Sequence, residues 1–388
     1  VNKKLDRTVL SLILGAAITV ALAFLFFHMA VIRPILAIPL GLIIGLAFAV
    51  ILSQLITYTP PILGADGKPL PGSVVVMEKV KLDGRNEWVI LRGYDRTKPV
   101  LFFVSGGPVG SELGWVRHYN ADLEKDFVVA VWEEPGGGKS YPAVNYRTVK
   151  VEDYINDGLE LTRWLRTRFN QEKIFLVGHS WGTLLTVWMV QRHPEYYRAL
   201  VNVGQMTNIV ENDRLGYQMS LDAARKANDA KIVAKLEKNG LPPYGRKGAF
   251  KYTGYMDNPY GPNTQMVKES RKNDYDIHGW SLGYNIPEYG LLDRAYWYLG
   301  LLNGMNYIYS PLLDQVDLIA QVTKLNVPVY LATGRHDYNA WFELTEKYYA
   351  VLKAPKKELI WFEDSGHNLN FTEPEKFMDL IRRVLAEN

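Results

Sequence analysis

Two long uncharged apolar runs open the chain, at 9–27 and 35–56. Each holds about 20 residues, enough to cross a hydrocarbon layer of about 30 Å as a helix. Apolar residues fall on every side of both, unlike the single stripe of a helix packed on a soluble core. Arg33 and Pro34 interrupt the pattern between them, and Pro34 cannot continue a helix that precedes it. Residues 1–58 are therefore expected to form a two-span transmembrane hairpin, in contact with a lipid bilayer through 9–56. A cleaved signal peptide fits less well: the first run is long, no small-residue cleavage motif follows it, and a second span comes at once. Lys3, Lys4 and Arg7 before the hairpin, with Lys68, Lys79, Lys81 and Arg85 after it, outnumber Arg33 in the turn. That asymmetry predicts a cell-membrane protein whose remaining chain is cytoplasmic.

Residues 59–73 carry Pro60, Pro61, Gly64, Gly67, Pro69, Pro71 and Gly72 without apolar periodicity, as a linker does. Beyond them, short β-branched and aromatic runs recur at 74–80, 87–91, 100–104, 127–132, 174–177, 199–203, 327–332 and 358–362, about eight strands in all. The later runs are almost continuously apolar, which suits strands covered on both faces of a parallel sheet. Helical periodicity lies between them, over 154–169, 183–192, 342–352 and 377–385. The alternation predicts an α/β doubly wound architecture with a mostly parallel sheet. It stops between 206 and 319, where only amphipathic patterns such as 221–236 are found. The density of aromatics there, among them Tyr275, Trp280, Tyr284, Tyr289 and Trp297, argues for folded structure. We therefore expect a helical cap at 206–319, inserted between two core segments at 74–205 and 320–388.

Composition narrows the chemistry. With 44 Lys+Arg against 41 Asp+Glu, the net charge of +3 makes no basic patch of the kind nucleic acid requires. The chain has no cysteine, so disulfides, thiolate metal sites and a Cys nucleophile are excluded. Its 7 histidines form no HExxH or comparable ligand spacing. No metal and no cofactor is expected.

Directly after the strand at 174–177 comes Gly178-His179-Ser180-Trp181-Gly182, followed by a helical run. This is the G-x-S-x-G turn, whose glycines let the chain reverse tightly enough to lift the serine above the sheet. A serine hydroxyl needs a base within hydrogen-bond reach, and the base needs a carboxylate to orient it. Asp337, in Gly334-Arg335-His336-Asp337, follows the strand at 327–332, and His367, in Ser365-Gly366-His367, follows the strand at 358–362. Parallel strands bring both loops to the edge that holds Ser180. Ser180 is thus read as nucleophile, His367 as base and Asp337 as its acid. His179, His193 and His336 compete for the base, and Glu363 and Asp364 for the acid, but each sits where a structural role is commoner. For the oxyanion, the amide of Trp181 and one from Ser105-Gly106-Gly107-Pro108-Val109-Gly110 are the natural donors. Gly107 is preferred, with Gly106 as the alternative. Gly136-Gly137-Gly138-Lys139-Ser140 mimics a phosphate loop, yet Glu133 stands where its first glycine belongs, so it reads as a tight turn.

The ordered set SGGPVG, WEEPGGGKS, GHSWG, GRHD and SGHN resembles the proline iminopeptidase group of α/β-hydrolases over nearly all of 74–388. The resemblance implies the α/β-hydrolase fold, the triad Ser180, Asp337 and His367, oxyanion donors at Gly107 and Trp181, and a helical cap over the pocket. Ser105 stands where the group has His, and Glu133-Glu134-Pro135 where it has Asp-Gln-Arg. In family aminopeptidases, cap carboxylates hold the substrate's α-amine; Glu211, Glu269 and Glu288 are available for this, and Glu133 and Glu134 are further candidates. The expected activity is removal of N-terminal residues from short peptides. Hydrolysis of lipid or amphiphilic esters is the alternative within serine hydrolases, and a non-catalytic binding protein the alternative outside them.

Overall fold

The computed structural model describes residues 7–28, 34–270 and 277–388. Strands form where the short apolar runs lie: β1 (Val74–Leu82), β2 (Arg85–Gly93), β3 (Val100–Val104), β4 (Val128–Glu133), β5 (Ile174–His179), β6 (Tyr197–Val203), β7 (Val329–Gly334) and β8 (Lys357–Phe362). They make one sheet in the order β1-β2-β4-β3-β5-β6-β7-β8. β1, β2 and β4 pair antiparallel, and every pair from β4 through β3 to β8 is parallel. Alternation along each strand divides the buried side chains between two cores. Phe102, Val104, Leu176, Leu200 and Leu331 belong to one, and Leu101, Phe103, Phe175, Val177, Val201 and Ala332 to the other. Burial on both sides is why these strands read as unbroken apolar runs.

Helices α3 (Leu113–Tyr119), α4 (Val151–Arg168) and α5 (Trp181–Arg192) lie between the first strands. Between β6 and β7 the described chain has no strand of the sheet and is mainly helical: α6 (Ile209–Lys226), α7 (Ala230–Asn239), α8 (Ala249–Met256), α9 (Pro262–Glu269), α10 (Ile277–Tyr284) and α11 (Leu291–Gly304). Tyr275 and the side chain of Trp280 lie outside the described residues. The amphipathic pattern at 221–236 proves to be two helices. Asn228 adopts a left-handed conformation with φ 56°, and the Asp229 carboxylate accepts from Ile232 N at 3.1 Å, ending α6 and starting α7. The last two long helices, α12 (Phe342–Val351) and α13 (Pro374–Glu387), complete the layers.

At the N-terminus, α1 (Arg7–His28) and α2 (Pro34–Leu55) pack on each other through small residues. A Cβ on Gly15 would lie 2.6 Å from Ala49 Cβ, and one on Gly45 would lie 2.7 Å from Gly15 O. Among the described residues one helical stretch, Ile38–Leu55, is long and apolar enough to cross a membrane, while α1 contributes the shorter Val9–Leu22. The expected pair of spans is thus reduced to one candidate. Lys3, Lys4 and Arg33, which carried part of the charge argument, lie outside the described residues.

The segment 59–73 is not a free tether. Arg92 on β2 donates through Nε to Glu124 Oε1 at 2.7 Å and through Nη1 to Thr59 Oγ1 at 3.1 Å, holding the start of the segment against the sheet. Tyr58 N donates to Pro287 O at 3.1 Å.

Candidate active site

Ser180 sits between the last residue of β5 and the first of α5, at φ 52° and ψ −120°, a conformation that a non-glycine residue holds only when its surroundings impose it. Its neighbours impose it here. A side chain on Gly178 would lie 2.6 Å from Thr186 Oγ1 and 2.8 Å from Asn202 Oδ1, and one on Gly182 would run into the Val104 carbonyl. Ser180 N donates to Val203 O at 2.9 Å, while Thr183 Oγ1 donates to Ser180 O at 2.6 Å. The backbone of Ser180 is therefore satisfied on both sides.

The loops after β7 and β8 bring Asp337 and His367 together. His367 Nδ1 donates to Asp337, with 3.0 Å to either carboxylate oxygen, and Asp337 Oδ1 also accepts from Asn339 N at 3.0 Å and Ala340 N at 2.8 Å. Both residues are buried. Donation from Nδ1 fixes the tautomer in which Nε2 is the proton acceptor. The two loops are tied to each other by Arg335 N to Phe362 O at 3.0 Å and His336 N to Ser365 O at 3.2 Å. Gly204, at φ +58° just beyond β6, lies flat against the imidazole, where a Cβ would be 2.8 Å from His367 Cε1. The Val203-Gly204 segment thus touches Ser180 through one residue and His367 through the next.

The competing groups are engaged elsewhere. His179 Nδ1 bonds Glu112 Oε1 at 2.6 Å, and its Nε2 faces His367 O at 3.3 Å. Burial opposes its charged form, but the Glu112 charge and hydrogen bond outweigh it and raise the pKa. His336 lies 3.5 Å from Glu269, and His193 stacks on Tyr196 beside Glu195. Glu363 pairs with Arg335 on the surface at 2.8 Å.

The loop after β3 runs past Ser180. A Cβ on Gly106 would meet Ser180 Cβ at 3.2 Å and Glu112 Oε1 at 3.0 Å. The loop is closed by Gly110 N donating to Gly106 O at 3.0 Å, and Gly107 holds φ +142°, which glycine tolerates. Neither the Gly107 amide nor the Trp181 amide donates to another described residue. The Trp181 indole is buried, its Nε1 donating to Glu134 Oε2 at 2.9 Å.

Of the five carboxylates singled out in the sequence, Glu269 faces His336 and the Tyr338 hydroxyl, and the other four occupy three settings. Glu133 is wholly buried and accepts from Ser111 Oγ at 2.8 Å, from Lys139 N at 2.6 Å and from the Tyr289 hydroxyl; burial pushes its pKa up to about 7. Glu134, also buried, is pushed up to about 8 by burial, against bonds from the Trp181 indole and the Val109 amide. Glu288 pairs with Arg117 and keeps a buried Oε2 without a partner. Glu211 instead forms a surface pair with Arg214 at 2.7 Å.

Two arrangements went unread in the sequence. Glu112 and His179 form a buried pair next to Ser180, with no local spacing to announce it. Lys139, from the glycine-rich turn, reaches across to the helical insertion, donating to Asp293 Oδ2 at 2.8 Å and Glu288 O at 2.9 Å. That turn clamps core to insertion.

A family model described as the alpha/beta hydrolase fold matches residues 99–374, well over half of the chain. The probable aminopeptidase YbaC of Bacillus subtilis is 26% identical over 326 residues, covering 81% of this chain and 98% of that protein. A proline iminopeptidase of Saccharolobus solfataricus is 23% identical over 300 residues, covering 74% and 84% respectively. Among solved structures, the proline iminopeptidase of Mycobacterium smegmatis superposes with a TM-score of 0.57 at 15% identity, over 81% of this chain and 100% of that one. An eight-stranded, mostly parallel sheet, a serine on a strained strand-to-helix turn, and these matches lead to one conclusion: the chain belongs to the α/β-hydrolase family.

Proposed function

We propose that the protein is a membrane-anchored serine hydrolase, acting as a proline iminopeptidase-like aminopeptidase on short peptides. The observation that carries this reading is the His367–Asp337 pair beside a serine held in a strained turn. In the proposed reaction, Ser180 Oγ attacks the carbonyl of the N-terminal residue and its proton passes to His367 Nε2. The amides of Gly107 and Trp181 receive the developing oxyanion. His367 then protonates the leaving amine, and water, activated by the same imidazole, hydrolyses the acyl-enzyme. Residues 206–319 serve as the cap over the pocket.

Aminopeptidase relatives support a peptide substrate, whose free α-amine needs a carboxylate. Among these candidates Glu134 fits best, being buried beside Trp181 in a setting that favours its protonated form. A cation arriving there draws its proton off, turning a neutral acid into a counter-ion. The surface pair with Arg214 makes Glu211 a weak one. α1 and α2 together anchor the enzyme as a two-span hairpin, and the basic residues on both its flanks, which such a hairpin leaves on one side, favour a cytoplasmic catalytic domain.

One observation favours a second reading, hydrolysis of amphiphilic esters. The end of α2 is bonded to the insertion, with Leu291 N donating to Ser53 Oγ at 2.9 Å, so membrane and cap are neighbours. A substrate panel separates the two. Detergent-solubilised protein is expected to cleave proline and other aminoacyl anilides, to lose this when the amine is acetylated, and to lose both activity and fluorophosphonate labelling in Ser180→Ala. Turnover of acyl esters alone would assign the second reading.

A further inference from the structure

We propose that the outer face of α11, together with the basic cleft at its C-terminal end, is a docking surface for an anionic lipid bilayer. The proposal rests on the reading of α2 as a membrane span.

The starting point is a helix whose sides are reversed. On its inner side α11 buries Asp293, Trp297, Gly300 and Gly304, with Trp297 Nε1 donating to Ser111 O at 3.1 Å. On its outer side Leu292, Ala295, Tyr298, Leu299 and Leu302 are exposed, with Leu299 at 42%. These positions recur at three- and four-residue spacing, so they make one apolar stripe about 15 Å long. Soluble surfaces scatter single exposed leucines; a continuous stripe calls for a partner.

Its two ends say which partner. At the N-terminal end the stripe starts where α2 stops. Leu291 N bonds Ser53 Oγ, Gly290 packs on Gln54, and Tyr58 N bonds Pro287 O. α2, whose Ile51 and Leu55 are exposed on the side away from Ser53, thus ends where α11 begins. At the C-terminal end, Asn303 and Tyr307 line an open cleft of about 710 Å³ together with Arg147, Arg246 and Lys247. No ion pair engages any of these three cations among the described residues. The loop that supplies two of them is fixed to the helix, since Lys247 N donates to Asn306 O and Ala249 N to Asn306 Oδ1, both at 3.1 Å. In that loop the cations are flanked by exposed Leu241 and by Phe250, 76% exposed. Apolar side chains that enter the acyl boundary beside cations that meet lipid phosphates are the recognition chemistry of an anionic membrane surface. A second copy of the chain would cover the stripe but would leave the cations without counter-charges.

The absence of native cysteine allows a direct test on the full chain. Single-cysteine variants Leu299→Cys, Phe250→Cys, Ile43→Cys in α2 and Glu172→Cys, just before the N-terminal end of β5, are labelled with a fluorophore. They are reconstituted into vesicles of phosphatidylcholine with phosphatidylglycerol that contain nitroxide-bearing lipid. Dyes at Leu299 and Phe250 are expected to be quenched at least about fivefold more than the dye at Glu172. Arg246→Glu with Lys247→Glu, or vesicles of phosphatidylcholine alone, should lower the docked-to-undocked ratio by more than about tenfold. Quenching at Leu299 no greater than at Glu172, with Ile43 still quenched, overturns docking and leaves the span intact. Absence of quenching at Ile43 as well removes the span and the proposal with it. Shielding of Leu299 that tracks protein density and ignores the nitroxide lipid identifies a second copy, and also overturns the proposal.

Discussion

Asp337 holds three donors at once, the amides of Asn339 and Ala340 and the imidazole of His367. Asp337→Asn can keep the two amide bonds through its carbonyl oxygen, but its NH2 cannot accept from Nδ1–H. The imidazole then turns to the wrong tautomer, and kcat is expected to fall by about 10³- to 10⁴-fold. KM and the melting temperature should stay near wild type, which separates a lost orientation from a lost fold. Glu134 supports a different expectation. Its pKa is raised by burial to about 8, so the native state favours the protonated form. A raised carboxyl contributes its full stability below its unfolded pKa near 4.5 and loses it as pH climbs toward 8. Glu134→Gln keeps an acceptor for the Trp181 indole and cannot ionise. Its stability should therefore rise relative to wild type from pH 5 to pH 8, by on the order of a few kcal/mol at the upper end, read as a growing difference in melting temperature. Parallel curves for the two proteins would show that Glu134 ionises freely. Ser180, Asp337 and His367 were legible as candidates because each lies in the turn or loop that follows a parallel strand, β5, β7 or β8, and the shared strand direction carries all three to one edge. The Glu112–His179 pair was not, since its partners meet only through the closing of the loop after β3.

At the level of elements, the lesson lies in what the glycine-rich turn after β4 does. Its GKS ending suggested only a tight turn, yet Lys139 is a buried clamp between sheet and insertion. Its Nζ donates to Asp293 Oδ2 at 2.8 Å and to Glu288 O at 2.9 Å, and Asp293 Oδ2 also accepts from Gly290 N at 2.9 Å at the start of α11. The partner is 154 residues away in sequence, beyond the reach of any spacing rule. Lys139→Met leaves a buried carboxylate unpaired and is expected to cost about 3–5 kcal/mol. Asp293→Asn in the same chain should restore part of that loss, measured as melting temperature in one detergent; strict additivity of the two changes would refute the pair. The strands, by contrast, were legible to within a few residues, because burial on both faces writes itself as an unbroken apolar run. The helix pair α6 and α7 was legible in principle too: the Asn228-Asp229 step contains both a left-handed stop and a new N-cap, which the continuous amphipathic pattern masked.

For the whole molecule, the segment 59–73 decides how α2 and the sheet are related. Its prolines and glycines read as a linker, and a flexible chain of about 15 residues would let its ends separate over roughly 20 Å r.m.s.. The structure ties it down at its start. Arg92 binds Thr59 and Glu124 together, Tyr58 bonds Pro287, and Ser53 bonds Leu291. None of these partners is signalled locally, because each bond joins the N-terminal part to residues brought near by the sheet or the insertion. A two-point attachment predicts that α2 and the core move as one body. Spin labels at Ile51→Cys and Glu172→Cys, in a chain reconstituted into nanodiscs, should give one narrow distance peak by pulsed electron resonance. Arg92→Gln removes the charge on Glu124's buried partner and weakens the hold on Thr59, so the peak should broaden while Ser180 still accepts a fluorophosphonate. A distribution already broad in wild type would mean that the anchor swings freely, and that the orientation of α11 over the bilayer is set by its own surface chemistry alone.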